Sequence, residues 1–366
     1  MIDAILIIFI AVIGIQLFFA AVFLPFIFVK SSALSCSNLP VSVIIAAKDE
    51  AGNLEKFLPF VLEQNYAKFE VIVVNDASTD YTETVLKNLQ KQHKHLKVLH
   101  LHRTKSYTGN KKNAITKGIA AAKHPYLLFT DADCRPTSKH WIAGMAANFT
   151  PSKHIVLGYG QYKKIPNSFL NKLIRFETLL TAIQYFSYAK TGIPYMGVGR
   201  NLAYKKTTFM QYEGFKSHAS IRSGDDDLLI NAIANKKNTA LCINPDAFTI
   251  SKPKKTYKKW FRQKRRHITT AAYYRPVHKY LLGLFYVSQL LFYVLTIILL
   301  TTAFNLFWVL ILMLIRFTVF GFIYLKNAKK FKESDLIVLI FILEPILIFN
   351  QLIFFIENLI KKPNFW

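Results

Sequence analysis

Apolar residues follow two rhythms along this chain. Toward the ends they run almost unbroken, and between them they recur in short blocks separated by polar turns. Residues 2–29 (IDAILIIFIAVIGIQLFFAAVFLPFIFV) carry no charge after Asp3 and are long enough to cross a bilayer as a helix. Residues 281–303 and 304–325 form two more apolar stretches whose cores are separated only by TTAFN, which predicts a transmembrane hairpin over 281–325. A fourth run, 336–356, contains Glu344-Pro345. An ionisable group at bilayer depth is costly unless paired, and proline removes a backbone donor, so this run is expected to be a re-entrant or kinked segment. Arg316, midway along the third stretch, is the natural partner for Glu344.

The interior reads differently. Strands are predicted at 41–47 (VSVIIAA), 69–76 (FEVIVVND), 96–102 (LKVLHLH) and 126–133 (YLLFTDAD). Helices fall between them. One carries Leu54, Leu58, Val61 and Leu62, the next is opened by Ser78 or Thr79 as cap, and a third is NKKNAITKGIAAAK. Such alternation predicts an α/β domain over 38–250 with a mainly parallel sheet wrapped by helices. Ligands of these sheets sit at the carboxyl ends of the strands, where Asp76 and Asp131 fall.

Composition changes the picture in one respect. The chain is 52% hydrophobic yet has 47 Lys and Arg against 21 Asp and Glu, a net charge of +26. Apolar spans and a basic cytoplasmic domain in one chain explain both figures, and anionic head groups explain the cations without a nucleic-acid partner. Lys30, the basic segment before 281 and the Lys326–Lys332 loop share one side if the first three stretches span. The positive-inside rule makes that side cytoplasmic, giving an integral inner (plasma) membrane protein with its large domain in the cytoplasm. The first stretch lacks a positive N-terminal region and is expected to be a retained anchor over 1–29. Cleavage before Cys36 fits poorly with Ala33-Leu34-Ser35. Cys36, Cys134 and Cys242 show neither metal-ligand spacing nor a disulfide framework.

Four constellations carry candidate chemistry. Asp131-Ala132-Asp133 offers two hard oxygen donors at a strand end, suited to Mg²⁺ or Mn²⁺ beside a nucleotide's phosphates, although Asp-x-Asp also caps ordinary turns. Asp76 can accept from a base or ribose, or cap the following helix. Lys111 and Lys112 open a helix, where cations oppose the dipole unless an anion sits nearby. In Ser223-Gly224-Asp225-Asp226-Asp227-Leu228, crowded carboxylates raise at least one pKa, as a general base requires; helix capping is the plainer reading. The region 251–278 holds KTYKKWFRQKRRHITTAAYY, a basic, aromatic interfacial helix with Gln263, Arg266 and His267 on one face.

The succession PVSVIIAAKDE, VIVVNDASTD, NKKNA, TDADC, GDDDL and QKRRH resembles glycosyltransferase family 2 of the GT-A fold, over about residues 38–270. In particular it resembles the membrane-bound branch that includes cellulose, hyaluronan and ceramide glycosyltransferases. The resemblance implies a nucleotide-sugar donor, a UDP-sugar first of all, and a lipid or glycan acceptor. It places Ala46, Glu50, Asp76, Lys111, Asp131 and Gln263 at the donor, Asp131 and Asp133 on the metal, and Gly199, Asn201 and His267 on the acceptor side. Two registers compete for the base. Glu-Asp-x-Asp-Leu gives Asp225, with Gly224 in place of the expected acid; Gly-Asp-Asp gives Asp226. The first is preferred because Asp227-Leu228 then falls in place. His267 stands where the branch normally has tryptophan, which counts against polysaccharide threading, and Arg266 would neutralise the departing diphosphate. The implied reaction is a single, inverting displacement. A membrane nucleotidyltransferase on a related sheet and a non-catalytic scaffold are the rival classes.

Overall fold

The computed structural model describes residues 2–31, 38–102, 111–221 and 223–361. Cys36 lies outside them. The first half of the chain runs α1 (Ile2–Ile27), β1 (Val41–Ala47), α2 (Ala51–Leu62), β2 (Phe69–Asp76), α3 (Thr82–Gln92), β3 (Leu96–Leu101), α4 (Lys111–Ala121), β4 (Tyr126–Phe129), β5 (Cys134–Pro136), α5 (Trp141–Ala146), β6 (Ile155–Leu157) and β7 (Gly160–Tyr162). The second half runs α6 (Phe169–Thr191), β8 (Leu202–Lys205), α7 (Lys206–Gln211), α8 (Asp227–Ile233), β9 (Thr239–Leu241), β10 (Thr249–Ser251), α9 (Tyr257–Ala271), α10 (Pro276–Thr301), α11 (Leu306–Lys330) and α12 (Ile340–Ile360). These elements form two compact units, one from Lys30–Lys163 and Gly192–Pro253, the other from Met1–Val29, Lys164–Thr191 and the chain from Lys254 onward.

The first unit is the α/β domain. Its seven-stranded sheet has the order β3-β2-β1-β4-β8-β6-β9, and β5, β10 and β7 form a smaller sheet. β1 pairs in parallel with both β2 and β4, and β2 with β3; β8 alone runs against its neighbours β4 and β6. The sheet is mainly parallel, as expected. Val43, Ile45, Val71 and Val73 are fully buried, which is why β1 and β2 read as continuous apolar runs rather than alternating ones. Leu54, Leu58, Val61 and Leu62 form the inward stripe of α2.

Two boundaries differ from the sequence reading. α3 begins at Thr82 with Tyr81 as an uncapped N-cap. Ser78 and Thr79 instead lace the β2–α3 loop to the β1–α2 loop: Asp49 N–H donates to Ser78 Oγ at 2.9 Å and Thr79 N–H to Asp49 Oδ1 at 2.7 Å. The two loops at the carboxyl edge of the sheet satisfy each other's backbone, so these side chains are no longer available to cap. The fourth strand stops at Phe129, leaving Asp131 and Asp133 in the turn between β4 and β5.

The second unit holds four helices long and apolar enough to cross a membrane: Asp3–Ile27, Pro276–Thr301, Leu306–Lys330 and Ser334–Ile360. Lys326 to Lys330, expected in a loop, continue α11, and Lys330 Nζ donates to the carbonyls of Phe26, Ile27 and Val29 at 2.6, 3.1 and 3.0 Å. A cation at the end of α1 satisfies carbonyls that have no helical partner. The expected break at Glu344-Pro345 is not there: a 3-10 turn covers Ser334–Leu339 and α12 then runs unbroken through Pro345. Proline there removes the backbone bond to the Phe341 carbonyl without ending the helix. Glu344 pairs with Arg316, as the sequence suggested, at 2.6 and 2.7 Å.

Candidate active site

The site forms where β1 and β4 end and α4 begins. Lys111 is the first residue of α4, and its Nζ lies 2.9 Å from Asp131 Oδ1 and 2.8 Å from Asp225 Oδ2. One ammonium thus joins the strand-end acid to the acidic triplet. Burial alone would depress this amine; Asp131, Asp225 and Asp226 outweigh that and hold it protonated well above the usual lysine range. The pocket around it is lined by Ala46, Asp131, Gly199, Asp225 and Asp226, with Ile44, Ile115, Phe129 and Leu202 as an apolar floor.

The triplet is shaped by its neighbours. Gly224 has φ +95°, and a Cβ there would stand 2.4 Å from Leu228 Cδ1, so the residue before the acids must be glycine. That explains why no acid occupies the position. Asp226 caps α8, taking the Asp227 N–H at 2.8 Å on one oxygen and the Gly199 N–H at 2.6 Å on the other. Burial, then Asp225 and Asp227, push its carboxyl up to about 7 against the opposing pull of Lys111 and the Gly199 N–H. Capping and a raised pKa therefore coexist in one residue.

Behind the site, Lys112 is buried and donates to the carbonyls of His218 and Ile221 at 2.6 and 2.5 Å, pinning the segment that leads into the triplet. Burial lowers this amine to about 8. Nothing in the pattern of residues distinguishes the tasks of these two adjacent lysines. Their helical offset of about 100° was the only available signal.

Asp131, Asp133 and Cys134 offer ligand atoms all within 4.8 Å of one another. The two carboxylates suit a hard divalent cation, and the Lys111 ammonium already marks the place as one that holds positive charge. Cys134 does not fit as a ligand: burial first, then Asp133 and Asp131, drive its thiol well up, and its Sγ lies 2.9 Å from Ser251 Oγ. The fit is to two carboxylates and bound water.

The remaining expected residues are more dispersed. Glu50 occupies the N-cap position of α2 without a side-chain capping bond and takes a bond from Asn53 Nδ2 at 2.5 Å, and Asp76 is buried at the end of β2; neither is among the residues lining the pocket. Asn201, expected on the acceptor side, is turned inward. It is fully buried, accepts from Trp141 Nε1 at 2.9 Å and donates to the carbonyls of Tyr159 and Ala247 at 3.0 and 2.7 Å. Its amide fastens α5 to the sheet. Gln263, Arg266 and His267 lie on α9 in the other unit, His267 exposed and the other two partly so. Arg265 rather than Arg266 is the buried cation there, bonded to Asn358 Oδ1 at 2.8 Å and to the Glu357 carbonyl at 3.0 Å.

Comparison with known proteins agrees with this geometry. Residues 42–212 match the family described as Glycosyl transferase family 2. The poly-beta-1,6-N-acetyl-D-glucosamine synthase of Staphylococcus epidermidis is 31% identical over 94 residues, 25% of this chain and 21% of the relative. The beta-monoglucosyldiacylglycerol synthase of Nostoc is 32% identical over 104 residues, 28% of this chain and 22% of the relative. The chain thus spans about a fifth of each of these relatives. A mannosyltransferase from Pyrobaculum calidifontis, solved with GDP-Man and Mn²⁺, superposes with a TM-score of 0.59 at 19% identity, covering 92% of this chain and 97% of its own. Residues 42–212 are thus similar to glycosyltransferase family 2, and the chain has the GT-A fold together with long apolar helices.

Proposed function

We propose that this chain is a metal-dependent, inverting glycosyltransferase that moves a sugar from a nucleotide-sugar donor to a lipid or glycan acceptor at the cytoplasmic face of the inner membrane. The observation that carries the reading is the Lys111 bridge, which draws a strand-end carboxylate and the acidic triplet around one pocket. Relatives that make a polysaccharide and a glycolipid support the two acceptor classes, and the neighbour holding GDP-Man and Mn²⁺ supports a nucleotide sugar and a divalent cation.

Of the two candidate bases, we assign the role to Asp226 and give Asp225 the task of holding Lys111. A carboxyl pushed up to about 7 is matched to proton abstraction near neutrality, and its two backbone bonds fix its orientation. Asp226 takes the proton of the acceptor hydroxyl as that oxygen attacks the anomeric carbon opposite the diphosphate. The bond from the anomeric carbon to the diphosphate breaks, and the nucleoside diphosphate departs. One displacement inverts the configuration. Lys111 balances charge growing on the leaving group. Asp131 and Asp133 would hold Mg²⁺ or Mn²⁺, which supplies Lewis-acid neutralisation of the diphosphate when bound. The family resemblance alone supports Glu50, Asp76 and Gln263 at the donor, Arg266 at the diphosphate and His267 toward the acceptor.

The test is a transfer and hydrolysis screen of UDP- and GDP-sugars on membranes containing the protein. Label from the sugar should reach product, and Asp133→Asn should abolish turnover and weaken nucleotide binding only when Mn²⁺ or Mg²⁺ is present. Label from the α-phosphate in product would indicate a nucleotidyltransferase instead.

A further inference from the structure

Arg200 stands next to Gly199 and next to the carboxylates of the candidate metal pair, and no role considered so far uses it. Its surroundings form a built slot. Its backbone carbonyl accepts from Thr130 Oγ1 and Thr249 Oγ1, each at 3.0 Å, which fixes the main chain between β4 and β10. The guanidinium stacks over the Tyr162 ring at 4.3 Å and donates from Nη1 to Ser251 Oγ at 3.2 Å. Gly160, on the same face of β7 as Tyr162, leaves the space it fills: a Cβ at 160 would stand 3.2 Å from Arg200 Cβ and 3.3 Å from Nε.

The charge around it is unbalanced in an informative way. Burial would disfavour this cation, and the nearby Asp131 and Asp133 carboxylates favour it. Yet Arg200 forms no ion pair among the described residues, and only one of its five N–H donors has a side-chain partner. Asp131 is already satisfied by Lys111. A rigid, stacked guanidinium with open donors beside two carboxylates suited to a divalent cation is arranged for an anion that the cation also attracts.

We infer that Arg200 is a further substrate-binding residue, which grips a phosphate oxyanion at the reacting centre. The inference rests on the donor reading above. The oxyanion belongs either to the donor's diphosphate or to a phosphate carried by the acceptor, and binding measurements separate the two.

The experiment uses the full chain in detergent with Mn²⁺, titrated with UDP and GDP and with uridine and guanosine. Arg200→Met should weaken the nucleoside diphosphate bound by the parent by about tenfold or more, the worth of one charge-assisted hydrogen bond, and leave the nucleoside unchanged. Arg200→Lys keeps the charge without the fork and should fall between. Gly160→Ala leaves Arg200 in place but crowds its slot, and should shift diphosphate affinity in the same direction by a smaller factor. If Arg200→Met binds diphosphate like the parent but raises KM for a polyprenyl phosphate and not for diacylglycerol, the oxyanion is the acceptor's. Unchanged diphosphate affinity together with unchanged KM for both acceptors overturns the assignment, as does a lowered melting temperature with equal losses for diphosphate and nucleoside. A parent that binds neither UDP nor GDP overturns the donor reading instead.

Discussion

Asp226 is held by two backbone N–H groups and cannot turn away from the burial that raises its carboxyl. The base is its deprotonated form, so kcat/KM should fall as pH drops below about 7, and this limb should vanish in Asp226→Asn. That variant should keep donor affinity and lose transfer by about 10²–10⁴-fold, measured with the nucleotide sugar found in the screen. Equal transfer in the parent and Asp226→Asn would return the base to Asp225. Stability carries the same signature with a defined sign. The folded carboxyl titrates above its ordinary 3.8, so between these values the folded state binds more protons than the unfolded one. The contribution of Asp226 to stability therefore declines as pH rises from about 4 to 7, and replacing it with Asn should flatten the dependence of melting temperature on pH in that window. At this scale the acids were legible because carboxylates stand out at the ends of apolar strands. Asn201 was misread for a physical reason: a polar residue in a glycine-rich turn looks exposed until Trp141, Tyr159 and Ala247 close around it.

Among the elements, α1, α10, α11 and α12 meet at one buried polar cluster. Arg316 and Glu344 form a bidentate pair; Arg316 Nε donates to Gln16 at 2.8 Å, and Tyr293 and Tyr324 donate to Glu344 at 2.6 and 2.8 Å. Fully satisfied, such a cluster fixes which helices neighbour one another; half-satisfied, it is expensive. Glu344→Ala should cost about 3–5 kcal/mol by leaving the guanidinium unpaired, whereas Arg316→Met with Glu344→Met should recover most of that loss. Thermal unfolding of the full chain in detergent reads both. The pairing was legible from the rarity of charges in the apolar runs. The unbroken α12 was not, because Glu344-Pro345 reads as a break in the apolar run whereas the departure from α-helix falls earlier, in the 3-10 turn over Ser334–Leu339.

On the scale of the molecule, the contacts of the last segment bear on topology. Phe341 packs on Phe317, and Glu344 pairs with Arg316, 14 residues or about 20 Å of helical rise before α11 ends at Lys330. Farther on, Phe354 packs on Trp260 and Phe261, and Asn358 bonds to Arg265, all on α9, the helix that leads into α10. α12 is itself unbroken and long enough to span, so labelling near its two ends tests the path of the segment. A cysteine at Lys361 should be labelled by an impermeant thiol reagent only after the cells are opened, and one at Ala303 from outside. Labelling of both in intact cells would show a full span. Exposed Lys254, Lys255, Lys258 and Lys259 should bind anionic vesicles, and their replacement by glutamine should reduce vesicle binding without changing nucleotide affinity. The helical unit is also assembled from three separated stretches of chain, with the α/β domain filling the gaps. A ribosome therefore delivers Gln16 some 272 residues before the Ser288 carbonyl it donates to and 300 before Arg316. At about 5–20 residues per second, that glutamine waits on the order of tens of seconds. Arg316 then waits for Glu344, 28 residues behind it. α12 thus supplies the carboxylate that Arg316 lacks until then: a nascent chain stopped after Lys330 leaves the guanidinium without its counter-ion, and pulse-chase should show it degraded faster than a chain that includes α12 although its α/β domain is intact.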